Sequence, residues 1–424
     1  MINNVNDILT QNIINVEDII MEFIQKIVKQ EAGKTLSVDS LEILIGGAVA
    51  EFTKALVDTS GLLLSNISNN DNINIQGEKQ RIKKRNQTKK ITSLFGEITV
   101  IRDKYYDKVL DKEYGENDDM LGISRNHRLT KGVVEAITYA SQLVPSFDRA
   151  SNVLDKLLQL NISATQMQIV SEEIGKEVFE KQMESANKTY EKPEEVVPQI
   201  LQKDKKEGIL YIMMDGSAVN TRVQDENNSS WKEMKLGLVF TDRDLITRSN
   251  GDKIINKKEY ITYFGEVGEF KKLVFDAAIR AGYGILKKIV VIGDGAKWIW
   301  NMCEELFPDA IRVLDYFHLS ENVNDYAKAL EYISLDLIED LPLGVGNVYN
   351  YIVNNRERIK YKSYKENGYY IGSGPIESGN KVVIQQRMKQ SGMRWGISGG
   401  QYIATLRAKF ESNLWNDILE VVNA

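Results

Sequence analysis

The sequence predicts a mixed α/β protein, α+β in its overall layout, with a mixed sheet covered by helices and a mainly helical region ahead of it. Three observations predict this. After Gly208, runs of β-branched and aromatic residues alternate with amphipathic segments in the order βββαβαβ, which implies a mixed sheet with helices on its faces. Before that point, apolar residues recur mostly at helical spacing. The length of 424 residues leaves room for two or three domains.

The elements follow in chain order. Residues 1–65 read as helices, with Ile8, Ile13 and Ile14, then Ile19, Ile20 and Phe23 at helical spacing. A polar break, SNISNNDNINIQG, leads into the basic run KQRIKKRNQTKK. ITSLFGEITVIRDKYYD then predicts a hairpin about Phe95-Gly96-Glu97. Residues 129–180 read as helical. SFDRASNVLDKLLQL is one helix, NIS is a break, and Ser163-Ala-Thr-Gln166 has capping-box spacing at the start of a second helix, ATQMQIVSEEIGKEV. The pair forms either a helix-turn-helix, with Thr165, Gln166 and Gln168 free to meet DNA, or a plain helical hairpin. NKTYEKPEEVVPQILQKDKKEG, with two prolines and dense charge, reads as a linker.

Beyond it, ILYIMMD, MKLGLVF and EYITYFGEV are strands. FKKLVFDAAIRAGYG is a helix with Phe270, Leu273, Val274 and Ala277 on one face. KKIVVIGDG is a strand, KWIWNMCEELF a helix and AIRVLDYFHL a strand. Residues 320–370 form a helical insertion before a last core helix near Pro375, with Gly374 as its cap. The expected domains are therefore a helical region 1–70, a basic hairpin and helical region 71–187, a linker 188–207 and a core 208–424.

Composition removes several classes of function. Cys303 is the single cysteine, so an internal disulfide and a cysteine zinc site are excluded, and a reducing cytoplasm fits. His127 and His318 are the only histidines, so any metal must rest on carboxylates, which suit Mg²⁺ or Mn²⁺. No apolar run is long enough to span a bilayer. The net charge of −6 hides two basic stretches. Lys79 to Leu110 carries ten basic and three acidic residues, and Asn380 to Phe410 carries six basic and no acidic ones.

Asp215 ends the first core strand in YIMMDGSAV, and Asp294 ends the fourth in VVIGDGAKW. Glu377 lies in GSGPIESGN. Singly, each Asp-Gly is a turn, and Glu377 is an acid at a helix N-terminus. Together, in a sheet where the first and fourth strands are neighbours, the aspartates reach one edge and the glutamate crosses to them. Such carboxylates repel by roughly 4 kcal/mol per pair at ~4 Å and an effective dielectric near 20. A pair of divalent cations would offset that and hold a phosphodiester in line. The flanking glycines would let a phosphate backbone come close. A dinucleotide fingerprint is disfavoured, because Trp298 stands where its third glycine belongs and Asp294 would repel a pyrophosphate.

MMDGSAVNTR, WKEMKLGLVF, GDGAKWIWN, LDYFHLSEN and IGSGPIESGNKVVIQQRMKQSGMRW together resemble the DDE transposases of bacterial insertion sequences, of the ISKra type with the ISLre type as neighbour. LFGEITVIRDKYYD and LGISRNHRLTKGVVEAITYASQLVPSFDRASNVL are similar to that family too, so the resemblance runs from about residue 80 to the end. It implies a ribonuclease-H-like core whose metal-binding acids are Asp215, Asp294 and Glu377. Related mutator-like transposases carry Asp-x-x-His after the second acid, and Asp315-Tyr-Phe-His318 matches. This implies a role for His318 beside the scissile phosphate or in orienting DNA, with Asp315 either assisting the site or orienting His318. The resemblance further implies two Mg²⁺ or Mn²⁺ ions, double-stranded DNA ends and target as partners, a dimer or higher assembly, no membrane, and a cytoplasmic, nucleoid-associated location.

Lys381, Arg387, Lys389 and Arg394 offer phosphate partners, with Lys297 and the run Lys83, Lys84 and Arg85. Trp395 would stack on a base or wedge a distorted end, the alternative being a solvated helix with the tryptophan packed on the core. The 59 residues from His318 to Glu377 imply a shortened insertion, which bears on activity more than on fold. Two other readings stay open: a remnant that binds DNA without cutting it, and an ATPase or sugar kinase, which would need glycine-rich phosphate segments that the chain lacks.

Overall fold

The structure, a computed structural model, describes residues 17–18, 20–25, 38–68, 81–107, 112–115, 128–198, 205–226, 228–249, 253–331 and 345–424. Within these, side chains are described except at 40, 66–68, 81–85, 103–107, 112–115, 253, 325–331 and 345–349. The chain divides into two compact units: Met1–Ile137 with Ser151–Ile162, and Thr138–Ala150 with Ser163–Ala424.

In the first unit, helix α1 (Val38–Ser68) packs on a three-stranded antiparallel sheet, β1 (Arg81–Ser93), β2 (Gly96–Asp107) and β3 (Lys112–Gly115). Gly61 permits the contact, since a Cβ there would lie 2.5 Å from the Thr99 carbonyl oxygen. Ser65 then accepts from the Ile101 N–H at 2.8 Å. The expected hairpin is present, but β1 begins ten residues earlier than ITSLFGEITV suggests, inside the basic run. Its turn is Leu94-Phe95, with Ser93 paired to Gly96, whose φ of +126° suits glycine. The backbone of Lys83, Lys84 and Arg85 lies in β1, and their side chains fall outside the described residues.

Helices α2 (Lys131–Leu143) and α3 (Phe147–Leu158) contribute residues to both units. Helix α4 opens at Ala164, with Ser163 accepting from the Gln166 N–H at 3.2 Å. It runs to Glu191, so the linker expected from residue 188 starts inside a helix. The reason is burial. Ala186 and Thr189 are fully enclosed, and the Thr189 hydroxyl donates to Asp276 at 2.5 Å. Farther up, a Cβ on Gly175 would come within 2.6 Å of the Tyr402 carbonyl. The second helix of the expected helix-turn-helix is therefore one wall of the second unit. Thr165 on it is exposed, Gln166 is half-buried, and Gln168 donates to Glu172.

The second unit is built on a five-stranded sheet. Its strands are β4 (Lys206–Asn220), β5 (Trp231–Thr241), β8 (Glu259–Tyr263), β9 (Leu286–Gly293) and β10 (Ile311–Leu314), in the order β10-β9-β4-β5-β8. Strands β4, β5 and β8 form an antiparallel meander, and β9 and β10 add in parallel on the other side of β4. A short hairpin of β6 (Leu245–Thr247) and β7 (Lys253–Ile255) lies between β5 and β8 in sequence. The buried runs Leu210–Met214 and Met234–Phe240 suit strands covered on both faces. Helix α5 (Val267–Ala281) buries the expected Phe270, Leu273, Val274 and Ala277, and ends on Gly282 in the left-handed region. Helix α6 (Lys297–Leu306) adds Ile299, Trp300 and Cys303 to the same core.

The expected last strand AIRVLDYFHL is a strand only over Ile311–Leu314. Asp315 caps a helix, α7 (Tyr316–Glu331), by accepting from the N–H groups of Phe317 at 3.3 Å and His318 at 2.9 Å. The insertion is helical as expected, through α7, α8 (Val345–Asn355) and α9 (Tyr361–Glu366), with 332–344 outside the described residues. Helix α10 (Gly374–Gly379) takes Ser373 rather than Gly374 as its cap. It passes into a π-helical turn, Asn380–Gln385. Helices α11 (Ile397–Glu411) and α12 (Trp415–Asn423) close the chain. Among the described residues, no helix is long and apolar enough to cross a membrane.

Candidate active site

Strand register aligns three aspartates. Met213 of β4 pairs with Ile292 of β9, so Asp215 and Asp294, each two residues on, stand at one height. Asp294 follows the end of β9. Strand β4, expected to end at Asp215, runs on to Asn220, because Asp215 and the residues after it stay paired with β5. Leu314 of β10 pairs with Gly293, which puts Asp315 at that height too, and the Asp315 N–H donates to the Gly293 carbonyl at 2.9 Å. The carboxyl ends of strands in such a sheet are where ligands bind.

Each carboxylate is held by a donor. Asp215 accepts from the Gly216 N–H at 2.7 Å and from the Asn380 amide. Asp294 accepts from the Ala296 N–H at 2.9 Å, and the Tyr351 hydroxyl donates to its carbonyl at 3.1 Å. Glu377 accepts from the Ser373 hydroxyl. Fully buried Asp315 accepts from the Ser373 N–H at 2.7 Å and meets His318 Nδ1 at 2.5 Å. Ser373 therefore serves both Asp315 and Glu377.

An open pocket of about 440 Å³ is lined by Asp215, Phe317, His318, Glu321, Glu377 and Asn380, with Gln385. Potential ligand atoms of Asp315, His318 and Glu377 lie within 4.8 Å of one another. Thus Asp215, Glu377 and His318 share one pocket, whereas Asp294 stands at the same strand edge without lining it. Asp315, expected only in support, is the buried hub.

The electrostatics follow from this crowding. Burial, then the neighbouring Asp294 charge, pushes the Asp215 carboxyl up, against its hydrogen bonds and His318. Burial acts the same way on Asp315, but the hydrogen bonds from His318 and Ser373 prevail and hold it below the usual carboxylate range. His318 is pushed up to about 9, first by its bond to Asp315 and then by the charges of Asp315, Asp294 and Asp215, while burial opposes. At neutral pH it is an imidazolium facing acids.

Several expected roles move. Arg387 is 1% exposed, donates to the carbonyls of Ser141 and Pro145, and lies 4.4 Å over the Phe147 ring and 5.3 Å over that of Trp395. Trp395 is itself buried, and its indole N–H donates to the Met388 carbonyl. Neither is placed to meet DNA, because both complete the packing of the second unit. Lys297, Lys381, Lys389 and Arg394 are exposed, and Lys389 reaches the Ser217 hydroxyl at 3.4 Å. The glycines beside the acids do not leave open clearance. A Cβ on Gly216 would meet the Glu233 carboxylate, and one on Gly295 would lie 2.6 Å from the Tyr351 ring.

Sequence reasoning missed Ser373, Asn380, Tyr351 and Phe317. Two had a signal, since Ser373 and Asn380 stand four before and three after Glu377, on one helical face. Tyr351 comes from a distant helix and had none.

The chain is thus a mixed α/β protein with carboxylates set at one height across its central strands. The family described as "Uncharacterised protein family (UPF0236)" matches residues 36–373, so the chain belongs to it. That span holds Asp215, Asp294, Asp315 and His318 and stops four residues before Glu377. A UPF0236 protein of Caldanaerobacter subterraneus subsp. tengcongensis, whose name joins eleven locus designations, is 24% identical over 98% of this chain and 85% of its own length. A second UPF0236 protein of that organism is 25% identical over 82% of this chain and 74% of its own.

Proposed function

We propose that the protein is a DDE-type DNA transposase with a ribonuclease-H-like core, cutting strands at the ends of an insertion sequence and joining them to target DNA. The observation that carries this reading is the alignment of Asp215 and Asp294 on neighbouring parallel strands, with Glu377 lining the same pocket as Asp215. A three-strand meander extended in parallel beyond its first strand is the sheet such a core has. The relative's eleven locus designations in one organism also favour a self-copying element.

The donor set fits a hard cation: carboxylates of Asp215 and Glu377 line one pocket, and Asp294 stands at the height of Asp215 on the next strand. Among the described residues, His318 is the one cationic side chain lining the pocket. Mg²⁺ or Mn²⁺, held by Asp215, Asp294 and Glu377, would supply charge neutralisation and an activated water. The chain's own residues do the rest. Asn380 and Gly216 orient Asp215, Ser373 orients Glu377, and Tyr351 fixes the turn that carries Asp294. Asp315 keeps His318 protonated, so its Nε2–H can hold a phosphate oxygen as charge develops there. Because every acid is present and held, cleavage is favoured over a remnant that only binds.

The test is nicking of duplex DNA bordering the gene, in Mg²⁺, by wild-type protein and Asp294→Asn. The expected result is loss of about 100-fold or more in the variant, the scale on which transition-state charge stabilisation operates. Equal nicking by a variant with unchanged melting temperature sinks the assignment.

A further inference from the structure

We infer that Phe317 and the apolar slot behind it take one unstacked base of the DNA strand whose phosphate sits in the acid pocket, an inference that rests on the transposase reading.

Phe317 is an anomaly at this site. It lies between the buried hub Asp315 and the imidazolium of His318, yet it is 59% exposed. Its position is fixed rather than loose. Its N–H donates to Asp315, and its ring lies against Gly372, where a Cβ would come within 2.5 Å of Cε2. A large apolar ring held in water beside charged groups costs hydration free energy unless something covers it.

The ring has two neighbours. It lines the acid pocket together with Asp215, His318 and Glu377. It also lines a second pocket of about 350 Å³ with Leu245, Tyr369, Tyr370, Ile371 and Pro375. The wall of that pocket is rigid, because Tyr370 packs edge-on against Tyr211 at 5.5 Å and Phe240 at 6.1 Å. One ring thus joins the acid pocket, which would hold an anion through its cations, to an apolar pocket.

A ligand that fills both must carry a phosphate and a flat ring within one residue of each other, which describes a nucleotide. Successive nucleotides on a strand rise about 3.4 Å, so only the bases next to the scissile phosphate reach Phe317. Inside a duplex a base offers its edge, and its face becomes available only when it leaves the stack. The slot therefore takes an extruded base, with Phe317 stacking on it. This is the role that buried Trp395 is not placed to fill.

The experiment uses full-length protein and a duplex of DNA bordering the gene, with 2-aminopurine placed in turn at each nucleotide flanking the nick made by wild-type protein in Mg²⁺. Fluorescence is read in Ca²⁺. At one position it should rise several-fold on binding, as for a base freed from its neighbours. Phe317→Ala should abolish the rise and weaken binding about tenfold. Phe317→Tyr should keep it, and an abasic nucleotide at that position should restore nicking by Phe317→Ala. Normal binding and nicking with no fluorescent position overturns the base slot and leaves the transposase reading standing. A change of oligomeric state in Phe317→Ala without fluorescence change overturns it in favour of a protein contact. Failure to bind or nick any bordering DNA overturns both readings.

Discussion

The acid edge of the sheet and the basic C-terminal stretch are both dense in charge, and the fold treats them in opposite ways. Asp215, Asp294 and Asp315 come from three strands, and register brings all three to one height. The basic residues from 380 to 410 are neighbours in sequence, and the fold scatters them. Arg387 and Arg407 are buried on carbonyl oxygens, whereas Lys381, Lys389 and Arg394 face solvent. Proximity in a sheet follows from pairing, whereas neighbours along a helix are spread around its axis onto different faces. The place of an acid after an apolar run therefore locates the acid site, whereas a charge count along the chain does not locate a basic surface.

The sharpest way to break this comparison is at Arg387. If it is a packing residue, Arg387→Ala should cost about 3 kcal/mol of stability, from lost charged hydrogen bonds and a cavity. Lys389→Ala should change stability by less than about 0.5 kcal/mol. Urea unfolding of both variants measures this. A stable Arg387→Ala protein with weakened DNA binding would return Arg387 to the DNA surface.

At the acid edge, the Asp315–His318 pair gives a pH prediction. His318 rises from its ordinary 6.5 to about 9, so its contribution to stability is full below 6.5 and is lost as pH climbs through 9. Asp315 is held below its ordinary 3.8, so its contribution is present above 3.8 and is lost as pH falls through its lowered value. The pair therefore supports the fold most fully from about pH 4 to 6.5. In an NMR titration without divalent cations, Asp315→Asn should bring His318 back toward 6.5. A His318 that already titrates there in the wild-type protein breaks the prediction.

How much of this was legible depends on which force placed each residue. The meander and its two parallel strands could be read because buried strands announce themselves as apolar runs, and Asp215 and Asp294 stood at the ends of two of them. The strand written through Asp315 to Leu319 was too long, since an aspartate cap ends β10 and β-branched content does not register caps. The linker from residue 188 was misread because proline and charge marked it, while the burial of Ala186 and Thr189 depends on tertiary contacts. Trp395 and Arg387 were misplaced for the same reason. A helix flanked by sheet and loop buries whatever faces inward, including an arginine whose donors find carbonyls.

Asn380 sharpens the acid side on a smaller scale. It is the first residue of the π-helical turn, a distortion often found at functional sites, and its amide holds Asp215. Asn380→Ala removes one hydrogen bond from a buried amide to a charged group, so nicking should fall about tenfold at saturating Mg²⁺, with a stability loss of roughly 1.5 kcal/mol. Unchanged nicking would mean that Gly216 alone orients Asp215.

The smallest effect lies on the basic surface that remains. Lys381, Lys389 and Arg394 are exposed on the chain that continues from α10, the helix that carries Glu377. If each meets a phosphate, substitution by alanine should weaken binding uniformly across DNA sequences and lower the slope of log K against log salt by about 1 per residue. Arg387→Ala, compared at a temperature where it is folded, should leave that slope as it is. An identical slope for all four variants would place the DNA elsewhere, and the basic strand β1 would become the next surface to mutate.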